Sequence, residues 1–181
     1  MIPTIIALSM GLPAAADGAG PRTVPAVNEV REDVPPGEPP YEMVWAGRTE
    51  ERAPLEPFED LTGWTVELYG GAEATLERSH EQRVWGRYSG KLTYRGQGGD
   101  GDRIVVRPPR PIPIAGHFTA ANLWCYGNNW GWVPDPGTPQ VELILRLIDA
   151  DGALHRIQTG RVRWEEWWLV HNRVINALGE N

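Results

Sequence analysis

Four aromatic residues crowd the stretch between positions 124 and 132: Trp124, Tyr126, Trp130 and Trp132. A sugar ring has an apolar C–H face and a rim of hydroxyls. A flat indole or phenol ring buries that face, and nearby polar groups take the hydroxyls. Asn128, Asn129, Glu142 and Arg146 are placed to supply those hydrogen bonds. The same rings could equally pack under the loop that follows them, against the N-terminal stretch, or against a neighbouring domain. Sequence leaves both readings open.

Other residue sets point to less. Glu165 with Glu166, and Glu73 with Glu77, are the only carboxylate pairs that suggest hydrolysis. Two-carboxylate catalysis needs the acids facing each other across a cleft, about 5 to 9.5 Å apart. Neighbours on a strand point to opposite faces, so Glu165 and Glu166 are poorly arranged for it. His80, His117, His155 and His171 are scattered without metal-binding spacing, and no G-x-S-x-G, P-loop or dinucleotide fingerprint occurs. No catalytic residue is assigned. Cys125 is the single cysteine, so neither a disulfide framework nor a thiolate zinc cluster can form, and its apolar surroundings read as core. Asp149-x-Asp151-Gly152 and Asp100-Gly101-Asp102 lack the remaining ligands of a calcium loop and read as turns.

The elements that would position these residues are strands. Gly 21 and Pro 17 supply many turns, and short apolar or alternating runs recur between them. Strands are expected at Trp64–Leu68, Ala74–Arg78, Ser89–Arg95, Arg103–Arg107, His117–Tyr126, Val141–Asp149, Leu154–Gly160 and Trp167–Val174. No segment reads as a helix. The expected fold is all-β, a jelly-roll β-sandwich of about eight antiparallel strands. Val141, Leu143, Leu145 and Leu147 share one side of their strand, leaving Glu142, Ile144 and Arg146 on the other. Leu123 and Cys125 form the matching core pair, so Asn122, Trp124 and Tyr126 face away from the core. The functional reading depends on that parity.

Ahead of the domain, ten of the 17 prolines lie in residues 1–57, and so do nine of the 24 acids. Proline removes a backbone donor and fixes φ, so residues 17–57 are expected to form an extended or disordered linker unable to join a central sheet. Tyr41–Trp45 is the part most suited to dock on the domain. Residues 1–16 combine a short apolar stretch with Gly11–Ala16, which fits a secretory signal cleaved after Ala16, although a basic start is missing. The stretch is too short to span a bilayer. The expected location is therefore secreted or periplasmic. The net charge of −7 argues against a nucleic-acid partner and against binding an acidic polymer by charge alone.

Several segments resemble the galactose-binding-like β-sandwich of many carbohydrate-binding modules. Phe58-Glu59-Asp60-Leu61-Thr62-Gly63-Trp64 is similar to their "FE…GW" start, and Gly86–Leu92 resembles their "G-x-x-S-G-K" motif. Leu123–Gly127 followed by Leu143–Gly152 is similar to a "LWVYG … L-x-L-x-D-x-D-G" strand pair, and Trp164–Trp167 to a "W-x-x-W" lead into the last strand. The likeness covers residues 58–174. It implies a non-catalytic accessory domain that binds a polysaccharide or oligosaccharide. It also implies one structural calcium, with Glu59 and Asp60 as its carboxylates. Asn128–Gln140 is longer than usual in such domains, so no ligand preference carries over. Residues 175–181 would begin a linker to a catalytic region downstream. The alternatives are a structural spacer whose aromatic face packs on a neighbouring domain and, less favoured, a small hydrolase or lyase.

Overall fold

The computed structural model describes residues 20–39, 53–97, 101–127 and 141–173, together with the backbone of a strand at Ala7–Gly11. Every regular element among them is a strand: β1 Ala7–Gly11, β2 Arg22–Pro25, β3 Thr65–Tyr69, β4 Glu73–Ser79, β5 Ser89–Arg95, β6 Arg103–Arg107, β7 Ala120–Tyr126, β8 Glu142–Ile148, β9 Leu154–Arg161 and β10 Trp167–Arg173. All eight strands expected from the alternation of residue types are present. No helix among the described residues is long and apolar enough to cross a membrane.

The chain is an all-β sandwich. One layer is a six-stranded antiparallel sheet in the order β2-β3-β6-β1-β8-β9. The other layer is divided into two ribbons, β4-β5 and β7-β10. The core is divided in the same way. Under β4-β5, Val66 and Leu68 of β3 and Ile104 and Val106 of β6 meet Leu76, with Ala74, Leu92 and Tyr94 packed against them. Under β7, Leu145 and Leu147 of β8 and Ile157 of β9 meet Ala121 and Leu123. Apolar side chains alternate along β3 and β8, so one side of each buries hydrocarbon, whereas on β6 Ile104, Val105 and Val106 are all buried and Val105 is covered on the outer side.

The turns follow their residue types. Gly70 at φ 63 reverses the chain between β3 and β4. Asp102 accepts the Gly71 N–H there at 2.8 Å and the Gln97 N–H at the end of β5. Asp149 ends β8 by accepting the N–H groups of Asp151 (3.0 Å) and Ala153 (2.8 Å), with Gly152 at φ 82. Asp149 thus builds its turn in an Asx pattern that mimics a backbone turn, while Asp102 ties the Gly71 turn to the end of β5.

Two N-terminal segments differ from the sequence expectation. The linker reading of 17–57 is corrected for residues 20–39, which belong to the folded unit. β2 adds to β3 at the edge of the large sheet, where a proline's missing donor costs no ladder bond. The chain then runs beside β4: the Val27 N–H donates to Leu76 O (2.8 Å), the Arg78 N–H to Val27 O (2.9 Å) and the Gly37 N–H to His80 O (2.8 Å). Val24 and Ala26 reach the core, giving this proline-rich stretch enough apolar burial to stay in place. The folded unit therefore includes chain ahead of Phe58, the expected start of the domain. The docking expected of Tyr41–Trp45 lies outside the described residues. The second difference is β1. It falls within the expected leader, yet it sits between β6 and β8, with Leu8 opposite both Val106 and Leu145. The cleavage point after Ala16 lies outside the described residues.

Deleting residues 1–16 takes a strand from the middle of this sheet. The shortened chain is expected to melt at a lower temperature than the full chain. Equal melting temperatures would mean that β6 and β8 close on each other without it.

Candidate functional site

The sugar-binding reading needs Trp124 and Tyr126 on the outer face of their strand, and the register puts them there. Leu123 packs on Leu145, Leu147 and Ile157, so alternation turns Trp124 and Tyr126 away from that cluster. β10 pairs with β7 so that Trp167 stands opposite Tyr126, Leu169 opposite Trp124 and His171 opposite Asn122. The outer face of this ribbon is therefore Tyr126, Trp167, Trp124 and Leu169 at one end, with Asn122, His171 and Arg173 at the other. Tyr126 is 42% exposed and Leu169 40% exposed. Tyr126 and Trp167 meet edge to face, their centroids 5.6 Å apart and their planes at 74°. The two rings form a corner instead of a flat platform. The Trp167 indole N–H is buried and lacks an acceptor, which is unusual for a polar group removed from water. His171 Nδ1 and Asn122 Oδ1 lie 2.6 Å apart.

The polar partners expected from sequence are elsewhere. Leu143, Leu145 and Leu147 point into the core, so Glu142 and Arg146 occupy the outer face of the six-stranded sheet. The aromatic ribbon and that sheet pack face to face, so their outer faces look in opposite directions. Glu142 and Arg146 thus do not stand beside Trp124 and Tyr126. Glu142 accepts a hydrogen bond from Gln158 instead. Asn128, Asn129, Trp130 and Trp132 lie outside the described residues. Of the polar groups that share the aromatic face, Asn122 follows from the same parity as Trp124, whereas His171 and Arg173 escaped sequence reasoning. Parity along Trp167–Val174 was available as a signal, but nothing local says that this strand pairs with β7.

Further aromatic residues were read only as a strand motif. Trp164 lies 6.3 Å from Trp168 with the planes at 33°, and its indole N–H donates to Cys125 O at 3.0 Å. Trp168 is 56% exposed. Gly127 fits beneath Trp164 because any Cβ there would collide with the Trp164 carbonyl.

The residues expected to hold calcium do other work. Glu59 Oε1 accepts the N–H groups of Arg87 (2.7 Å) and Tyr88 (3.0 Å), closing the turn at Gly86, whose φ is 62. Asp60 Oδ1 accepts the Thr62 N–H (2.9 Å) and hydroxyl (2.7 Å), and these bonds hold its carboxyl below the usual range. The Glu59 carbonyl, an obvious calcium donor, accepts from Arg78 Nη1 at 3.1 Å. That guanidinium lies over the Tyr88 ring at 4.5 Å. Calcium takes six to eight oxygen ligands, whereas here amide donors and a fixed cation surround the two acids. The pair does not fit calcium in this arrangement. Among the described residues no group of three or more His, Cys, Asp and Glu gathers as metal ligands.

The carboxylate pairs imagined for hydrolysis are not arranged for it either. Glu77 is salt-bridged to Lys91 at 3.5 Å. Glu73 lies four residues along the same strand, about 13 Å away at the usual rise. His80 meets Val34 O and His155 meets Asp149, both at 2.6 Å, so these histidines and His171 serve separate contacts. Burial pushes the Cys125 thiol from 9.0 up to about 11.

Three outcomes follow. EDTA is expected to leave the melting temperature unchanged; a fall on chelation would restore the calcium reading. Because the thiolate is the reactive form, Cys125 is expected to resist alkylation at pH 8 until the chain unfolds. Its raised folded pKa also means that stability is lost as pH climbs from 9.0 toward about 11, where the unfolded thiol ionises first. Rapid labelling of the native chain would show an open thiol. Comparison of the chain with known protein families, curated proteins and solved structures finds no match.

Proposed function

We propose that this chain is a non-catalytic carbohydrate-binding domain that acts outside the cytoplasm, as an accessory part of a polysaccharide-acting protein. The supporting observation is the corner formed by exposed Tyr126 and half-buried Trp167, beside half-buried Trp124, on the outer face of the β7-β10 ribbon. One ring's flat side can bury the C–H face of a sugar while the other ring walls its edge. Asn122, His171 and Arg173 supply donors and acceptors for hydroxyl groups along the same face. The partner is a neutral or weakly charged polysaccharide lying along the ribbon. Location outside the cytoplasm rests on the composition of residues 1–16. With β1 drawn from that segment, it requires either that the strand is retained or that its neighbours close after cleavage.

A second reading is favoured by one observation. Leu169 exposes aliphatic surface in the centre of the same face and offers a sugar no flat ring. A neighbouring domain of the same protein would cover Leu169 as readily as the rings, and the domain would then be a spacer.

Affinity electrophoresis of the full chain in gels of neutral polysaccharides separates the two. Retardation by at least one glycan is expected, weakened about tenfold or more, a difference of about 1.4 kcal/mol, in Trp124→Ala and Trp167→Ala. Both variants keep the Leu123 and Val170 side of the ribbon and should remain folded. No retardation in any neutral glycan sinks the proposal and leaves the spacer.

A further inference from the structure

The outer face of the six-stranded sheet, on the far side of the molecule from the aromatic ribbon, carries a line of arginines. Arg107 on β6, Arg146 on β8 and Arg156 on β9 lie in one row across the strands. Arg146 stands directly opposite Arg156 on one side and opposite Ala7 of β1 on the other, and Leu8 in turn faces Val106, next to Arg107. Arg103 shares the face four residues along β6, beyond the buried Val105, and rests over the Tyr69 ring at 3.8 Å. At the usual strand spacing, Arg146 is about 5 Å from Arg156 and about 10 Å from Arg107.

Such a row is unfavourable on its own. Like charges directly opposite on a sheet destabilise it. Burial, then Arg107, then Arg156, push the Arg146 pKa down. Of the two acids on this face, Glu67 relieves the row at Arg107 and, more weakly, at Arg146, and leaves Arg146 and Arg156 facing each other. Glu67 is bonded to Arg107 and accepts the Tyr69 hydroxyl at 3.0 Å, and Glu142 is taken by Gln158. The Nε groups of Arg103 and Arg146 are buried without acceptors. The cluster is also set in a chain of net charge −7, so overall charge does not account for it.

We propose that this row is a second binding surface, which takes the carboxylates of an acidic polysaccharide laid across the strands. The guanidinium fork matches a carboxylate in two-point geometry, and the planar group holds its charge at any working pH. Two arginines one strand apart and a third two strands further suit carboxylates repeated along a polymer better than a single small anion. The surface is independent of the aromatic face, so a polymer carrying both neutral and acidic sugars could engage both sides.

The test is affinity electrophoresis of the full chain in polygalacturonate, with dextran sulfate, single-stranded DNA and a neutral glycan as separate arms. Retardation in polygalacturonate is expected to weaken at least tenfold in Arg146→Gln/Arg156→Gln, to fade with added salt, and to be unchanged in Trp124→Ala. The double variant is expected to melt no lower than the parent, because the change removes repulsion. The inference is overturned by any of four results: no retardation in polygalacturonate, equal retardation by sulfate or DNA, loss in Trp124→Ala instead of the arginine variant, or a lowered melting temperature showing that the row only holds the fold. Failure of the neutral-glycan arm alone would fall on the aromatic face and leave this surface standing.

Discussion

Everything proposed for the aromatic face depends on one contact: Leu123 resting on Leu145, Leu147 and Ile157. Side chains of a strand alternate, so burying Leu123 against β8 and β9 turns Trp124 and Tyr126 outward. Val170 on β10, 6% exposed, fixes its strand in the same sense and brings Trp167 and Leu169 to the same side. A slip of one residue in β7 would turn Trp124 and Tyr126 inward and Leu123 outward, and one in β10 would turn Trp167 inward and Val170 outward. Shifting a few methyl groups here would therefore cost the molecule both its core and its surface.

The sequence was legible where signals are local. Alternation marked β3 to β10 to within a few residues, and Asp149 and Asp102 behave as the turn-builders their Gly neighbours suggested. The motif residues of the strand starts proved structural: Phe58 packs 5.1 Å from Trp64, and Glu59 closes the Gly86 turn. What stayed illegible is long-range. Glu142 and Arg146 face outward as alternation says, but parity alone does not reveal that their sheet looks away from Trp124. β2 was hidden because a strand of four residues ending in proline has too little pattern, and only its position at a sheet edge makes it possible.

Charge shows the same divide between totals and places. A net charge of −7 argued against binding an acidic polymer by charge alone, yet the six-stranded sheet presents Arg103, Arg107, Arg146 and Arg156 on one face. Fields near a surface are set by the nearest few charges once salt screens the remainder, within about 8 Å at physiological ionic strength. Two faces of one small sandwich can therefore differ in sign.

The central position of β1 also bears on how the sandwich assembles. Its partners Arg103–Val106 and Ile144–Arg146 are made roughly a hundred residues after it, so the first part of the sheet to leave the ribosome is among the last able to close its ladder. Contacts so distant along the chain slow folding, because the loop between them must be ordered before any hydrogen bond rewards it. Until then β6 and β8 each present a bare edge, the feature most prone to mispairing between molecules. A late-closing middle strand makes the rate of its arrival, more than the depth of the core, what decides whether a newly made chain stays single.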